Sequence, residues 1–293
     1  MEKIISCPIC KKSEFQSFLN CKDYTVSNET FSLVQCKGCE FVFTNPRPEL
    51  NAIGKYYESQ DYVSHSDTNT GLINSLYQFV KNYTIGKKVK LVDSLSQNKA
   101  ILDVGCGTGS FLGACKNAGW QVSGVEPNST AFENCKKNFS FTPQTYFQAE
   151  NYKDGSLGII TMWHVLEHVH DLDYYLSSFH KLLDNNGVLI IAVPNLTSYD
   201  AIDYKEYWAA YDVPRHLWHF SPKAISQLCS QYGFSVKRTL PMWFDSFYVS
   251  MLSEKYKNGG NILKAFLIGF VSNLKALLNP GTCSSQIYVF VKK

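Results

Sequence analysis

Three glycines at alternate positions, Gly105, Gly107 and Gly109, follow the run Ile101-Leu102-Asp103-Val104, and Glu126 stands 21 positions beyond Gly105. Glycines at that spacing make a turn whose backbone can approach a ligand with no side chain in the way. A carboxylate at the end of the next strand can accept both hydroxyls of a ribose. The spacing is not the G-x-G-x-x-G of nicotinamide sites. Asp103, Gly105, Cys106, Gly107, Gly109, Glu126 and Pro127 are the candidate cofactor-binding residues.

A second chemistry opens the chain. Cys7-Pro8-Ile9-Cys10 and Cys36-Lys37-Gly38-Cys39 form two C-x2-C pairs with 25 residues between them. Each pair can turn both sulfurs toward one ion, and four thiolates complete a tetrahedral zinc site with no open position for water, so the expected zinc is structural. Iron uses similar knuckles, so the spacing fixes a metal more firmly than its identity. Cys21, between the pairs, reads as a packing residue.

Two further stretches carry acid–base chemistry. His164, Glu167 and His168 follow the strand-like run Ile159-Ile160-Thr161-Met162 at i, i+3, i+4, where two imidazoles and a carboxylate can serve as base, orienter or metal ligand. Some 25 residues follow Val193-Pro194-Asn195 before the next helix, including Tyr211, Arg215, His216 and His219. A loop of that length in a compact domain is usually functional. His164, Glu167, His168, His216 and His219 are the catalytic candidates, and Tyr211 and Arg215 the substrate candidates. The plainer alternative is a loop anchored by its aromatics, with Arg215 paired to Asp212.

These residues need a scaffold that delivers them to one edge. From residue 99 onward strands and helices alternate. Strands are expected at 100–104, 121–126, 144–149, 157–163, 187–193, 234–240 and 286–292, and helices at 110–118, 129–138, 171–183 and 222–232. That alternation implies a mostly parallel α/β sheet covered on both faces, with ligands outside the carboxyl ends of its strands. Gly119 ends the first of these helices. Ser221-Pro222 starts the last as cap and first-turn proline, and Gly233 ends it. Asn185-Asn186-Gly187 reads as a left-handed turn before the fifth strand. Upstream, helices are expected at Leu50 to Tyr62 and Leu72 to Leu95, the latter with apolar residues at Leu72, Leu76, Phe79, Val80 and Tyr83. The division is a zinc-binding module at 1–60, a helical linker or lid at 61–98 and a catalytic domain at 99–293.

The 293 residues suffice for one large domain and a smaller one, and 45% hydrophobic with 18% charged residues describes a globular protein. A net charge of +3 without a lysine/arginine stripe argues against a large nucleic-acid footprint. No secretory signal precedes the first cysteine pair and no apolar run reaches the roughly 18 residues that span a bilayer, so the expected location is cytoplasmic, with ten cysteines kept as thiols or metal ligands. Residues 261–278 are apolar almost all round. Such a helix is either buried as a lid or covered by a partner, a second copy or a membrane surface.

In this order, the cysteine module, the glycine loop with Glu126, the His164-Val165-Leu166-Glu167-His168-Val169 turn and the Pro214-Arg215-His216-Leu217-Trp218-His219-Phe220-Ser221-Pro222 loop resemble class I S-adenosylmethionine-dependent methyltransferases with an N-terminal cysteine module. The resemblance implies a Rossmann-like seven-stranded sheet whose last strand is antiparallel, S-adenosylmethionine at the glycine loop, and methyl transfer to oxygen or carbon of a small-molecule acceptor such as a sugar or glycan precursor. It leaves two other readings open: an RNA methyltransferase using the zinc module as its grip, and a non-catalytic binding protein that keeps the fold. In quinone-pathway O-methyltransferases of this kind an E-x-x-E-H group can hold a divalent ion. Here His164 replaces the first glutamate, which argues against magnesium. Gly158 stands where the family usually has an acid before the fourth strand.

Overall fold

The structure is a computed structural model that describes residues 1–58, 72–139 and 141–293. The end of the helix expected at 50–62 and the first part of the expected linker lie outside the described residues; of the former, the described part is a short 3-10 turn, Ile53–Tyr57. The chain opens with strands β1 (Phe15–Lys22), β2 (Thr30–Cys36) and β3 (Val42–Thr44). Helix α1 (Leu72–Asp93), β4 (Ala100–Val104), α2 (Ser110–Asn117), β5 (Gln121–Val125), α3 (Ser129–Phe139), β6 (Leu157–Trp163), α4 (Leu172–Leu182) and β7 (Leu183–Pro194) follow. The remainder holds α5 (Tyr199–Tyr204), β8 (Trp218–His219), α6 (Pro222–Ser230), β9 (Phe234–Pro241), α7 (Asp245–Asn258), α8 (Ile262–Leu278) and β10 (Ser285–Lys292).

The residues group into two compact units, one of residues 1–59, 164–172 and 192–288, the other of 60–163, 173–191 and 289–293. In the second unit β4 pairs in parallel with β5, from Ala100↔Gln121 to Val104↔Val125, and with β6, from Ile101↔Ile159 to Val104↔Met162. Helices cover both faces of such strands, so they carry apolar runs instead of alternation, and Ile101, Leu102, Ile159, Ile160 and Met162 are all fully buried. The strand order is β5-β4-β6-β7-β10-β9, a mixed sheet of six strands with an antiparallel edge.

Seven strands were expected. The stretch at 144–149 makes only an isolated bridge, Val125↔Gln144, and residues 149–151 turn into a 3-10 helix. The turn expected at Asn185-Asn186-Gly187 is also absent. Strand β7 starts at Leu183 and runs through it, and Gly187 is not among the positive-φ glycines. The other boundaries follow their signals. Gly119 and Gly233 adopt φ of 84° and 79°, and Ser221 Oγ caps α6 by accepting from Ala224 N at 3.1 Å. Gly158 also has a local reason, since a Cβ there would collide with the carbonyl oxygen of Asn98. Asn98 in turn donates to Ser156 O at 3.2 Å and Asp184 Oδ2 at 2.7 Å.

In the first unit β1, β2, β3 and β8 form an antiparallel sheet, with Leu33↔Thr44 and Val42↔His219 among the pairs. The rings of Phe41, Phe43, Trp218 and Phe220 pack on one another at centroid distances of 5.6–6.1 Å. Helices α7 and α8 cross closely, because a Cβ on Gly269 would come within 3.1 Å of the Phe247 backbone. Fully buried Asp200 anchors α5 by accepting from Ser272 Oγ, Trp208 Nε1 and Ser284 Oγ at 2.6–2.8 Å.

Candidate active site

The glycine turn lies in the second unit, at the carboxyl end of β4. Gly105, Gly107 and Gly109 all take positive φ, at 74°, 55° and 79°, a region that strains any residue with a Cβ. Gly105 N and Cys106 N both donate to Val125 O, at 2.8 and 2.9 Å, which pins the turn to the end of β5. Glu126 clamps it from the other side: Oε2 accepts from Gly107 N at 2.7 Å and Oε1 from Asn128 N at 2.8 Å. Two backbone donors use two of the roughly four lone-pair sites of a carboxylate, which leaves one on each oxygen for a diol. Burial pushes the Glu126 carboxyl upward, while those two N–H groups pull it back.

Space is shared unequally among the glycines. A Cβ on Gly107 would meet nothing within 4 Å, whereas one on Gly109 would strike Cys135 Sγ at 2.5 Å. Gly109 is therefore a packing glycine, and Gly107 faces an open cradle. Asp103 is buried beneath the turn, where Thr161 Oγ1 donates to it at 2.6 Å and burial raises its carboxyl to about 7. Cys106 is buried and Pro127 exposed. At the end of β6 the Trp163 ring meets Phe111 edge-on at 5.6 Å and lies 4.0 Å from Lys88 Nζ. An open cradle beside Gly107 and a buried carboxylate with free lone pairs fit the ribose of S-adenosylmethionine.

In the first unit the four cysteines converge. Cys7 Sγ lies 3.5 Å from Cys39 Sγ and Cys10 Sγ 3.4 Å from Cys36 Sγ, and all four sulfurs fall within 4.8 Å of one another. A tetrahedral ion with Zn–S bonds of about 2.3 Å separates its sulfurs by roughly 3.8 Å, so the spacing suits zinc. Tight turns build each knuckle: Lys11 N donates to Cys7 O, Glu40 N to Cys36 O, and Gly38 N points at Cys36 Sγ.

The same unit brings together the His164–His168 turn and the 211–219 loop. His164 sits at φ 57° and directs Nε2 to Asp245 Oδ2 at 3.1 Å and Nδ1 to Glu167 Oε1 at 3.4 Å. Desolvation disfavours its charge, but the two carboxylates outweigh this and raise its pKa to about 10. His164 is thus an imidazolium at neutral pH. Glu167 is fully buried, and neither oxygen finds a well-aligned hydrogen-bond donor. Burial alone would push its carboxyl up; the His164 imidazolium holds it below the usual range.

His168 and His216 meet edge to face at 4.6 Å. His216 Nδ1 lies 2.8 Å from Ala210 O, and a carbonyl there can only accept, so Nδ1 is the donor and Nε2 is the ring atom turned toward Glu167 and Asp212. By the same reasoning His168 donates from Nδ1 to Arg215 O at 3.0 Å, with Tyr57 Oη also at 3.0 Å. Burial lowers His168 to about 4. One oxygen of Glu167 and a ring nitrogen from each of His168 and His216 lie within 4.8 Å of one another. As ligands that set would suit a borderline cation better than magnesium.

The other candidates are placed differently. Arg215 is 1% exposed; its guanidinium donates to Asp212 at 2.6 and 3.0 Å, to Asp23 at 3.2 Å and to Tyr56 O at 2.8 Å. Tyr211 is buried against Trp208 and His219, and His219 Nε2 pairs with Thr44 Oγ1 at 3.1 Å. Sequence reasoning missed Asp245, 81 positions from His164, as well as Asp23 and Tyr57. No local spacing marks such partners, because tertiary packing alone brings them to the histidines and Arg215.

Residues 78–239, more than half of the 293, match the profile of the family described as methyltransferase domain. The ubiquinone biosynthesis O-methyltransferase of Pelagibacter ubique (strain HTCC1062) is 25% identical over 197 residues, covering 64% of this chain and 80% of that protein. The mitochondrial enzyme of the same name from Bos taurus is 27% identical over 164 residues, 50% of this chain and 44% of its own length. Among solved structures, a geranyl diphosphate methyltransferase in complex with SAM shares the fold, with a TM-score of 0.53, 13% identity, and 80% of this chain and 95% of that one covered. The chain belongs to the methyltransferase-domain family and is an S-adenosylmethionine-dependent methyltransferase.

Proposed function

We propose that this enzyme methylates a hydroxyl oxygen of a small, ring-containing acceptor of the quinone-precursor class. The observation that carries the oxygen chemistry is the placement of His216 Nε2, which lies 4.0 Å from Glu167 Oε1 and 3.9 Å from Asp212 Oδ2. The two relatives named for ubiquinone biosynthesis, both O-methyltransferases, support the acceptor class. They lend no support to the sugar or glycan precursor expected from sequence.

Bound S-adenosylmethionine supplies an electrophilic methyl group, and the acceptor oxygen displaces S-adenosylhomocysteine from it. Glu126 and the Gly105–Gly109 turn hold the ribose and orient the donor. His216 takes the hydroxyl proton on Nε2, and Glu167 and Asp212 then face the imidazolium that forms, a carboxylate-supported general base. His168 keeps its proton on Nδ1 and remains neutral. His164 stays a fixed cation held by Asp245. His219 sits in the small sheet, and Tyr211 and Arg215 act by fixing the loop that carries His216. The four cysteines hold structural zinc, and the near-neutral charge fits a small molecule better than nucleic acid.

The test is methyl-labelled S-adenosylmethionine offered with a catechol-type ring acceptor, with RNA and with a small-molecule extract. Label in an ether of the ring acceptor, lost in His216→Gln with donor binding retained, supports the proposal. Label in RNA alone, or none anywhere despite donor binding, overturns it.

A further inference from the structure

Helix α8 leaves an apolar face outside the molecule. Its inner side, Ala265, Ile268, Gly269, Ser272 and Ala276, is buried, so the helix packs on the molecule by one side. On the outer side Leu263, Leu267, Phe270, Leu274 and Leu277 are 85, 62, 49, 44 and 65% exposed. Ile262, Phe266 and Leu278 flank them, also exposed.

We propose that this face pairs with the same face of a second copy of the chain. Three observations select that occupant. The five residues advance by four, three, four and three positions, the spacing at which one helix presents a continuous seam to another helix. The exposed apolar surface is on the order of 800 Å², about what each partner contributes to a stable dimer and more than the roughly 300–600 Å² of a monomer's largest patch. No charge interrupts the seam, so a two-fold pairing sets no like charges opposite each other.

The helix's two lysines are held by the molecule itself, Lys264 on Glu254 at 2.9 Å and Lys275 over the Tyr199 ring at 4.1 Å. An anionic membrane would instead be met by lysines lining the apolar face.

The test is sedimentation velocity of the full chain over a wide concentration range, with flotation on phosphatidylglycerol vesicles alongside. A wild-type dimer of twice the 33.2 kDa chain mass is expected. Leu267→Lys/Leu274→Lys should weaken it by at least about 100-fold, since both side chains sit at the centre of the seam. Because both residues are exposed, melting temperature and S-adenosylhomocysteine affinity should hold; Leu263→Lys/Leu277→Lys gives a second, independent disruption. A wild-type monomer throughout, a dimer that survives both double substitutions, or a monomer that floats with vesicles overturns the proposal.

Discussion

Glu126→Gln isolates the donor site from everything else in the molecule. The wild-type carboxylate spends one lone pair on Gly107 N at 2.7 Å and one on Asn128 N at 2.8 Å, and offers the others to the ribose. A carboxamide has one oxygen. Whichever way it turns, its NH2 faces one of the two backbone N–H groups, and a buried donor without an acceptor costs about 1–3 kcal/mol. The diol also loses one acceptor, and its remaining hydrogen bond loses charge assistance. With bonds to charged groups contributing roughly 1.5–3 kcal/mol each, the affinity loss is about 2 kcal/mol, or roughly 30-fold. Glu126→Ala removes both acceptors and should approach about 1,000-fold. Calorimetric titration with S-adenosylhomocysteine, alongside melting curves, separates ligand loss from fold loss. Binding within about threefold of wild type for both variants would refute the assignment of Glu126 to the ribose.

Four further outcomes follow from the same geometry. Cys7→Ser and Cys36→Ser should lose one equivalent of zinc by elemental analysis and melt earlier, and full metal content with unchanged melting would contradict the four-thiolate site. His164 has a folded pKa raised to about 10, so its contribution is fully present below its ordinary 6.5 and disappears as pH rises through 10. The melting difference between wild type and His164→Gln should therefore shrink between neutral pH and pH 10–11. His168 has the opposite sign: between about 6.5 and 4 the unfolded chain takes up a proton that the folded one refuses, so stability falls over that window and His168→Gln should flatten the acid limb of melting temperature against pH. Gly107→Val should impair donor binding more than Gly107→Ala, because the extra methyls enter the open cradle, while both carry the strain of φ 55°.

The glycine turn and its acid clamp were legible because they are local. A strand, three glycines and an acid at the next strand's end make a self-contained unit, and the structure joins them through bonds spanning about 20 positions. The cysteine pairs are legible for the same reason. The histidine stretches were visible as chemistry-bearing residues, but their roles were not. Which histidine is charged depends on Asp245, and which ring nitrogen donates depends on the carbonyls of Ala210 and Arg215. Arg215 read as a substrate contact, and the structure surrounds it with Asp212 and Asp23, the latter 192 positions away. Helix α8 shows the same limit: composition gave its apolar character, and only the packing of Gly269 on Phe247 decides which side faces out.

In the proposed reaction His216 accepts the proton of an acceptor hydroxyl during methyl transfer from S-adenosylmethionine. The direct test is the rate of methyl ether formation on a catechol-type acceptor by wild type and His216→Gln, each saturated with donor, as a function of acceptor pKa. The variant should lose at least about 100-fold with an acceptor that is protonated at neutral pH, the span of a general base, and far less with one already ionised. Equal losses on both acceptors, or none, would contradict it.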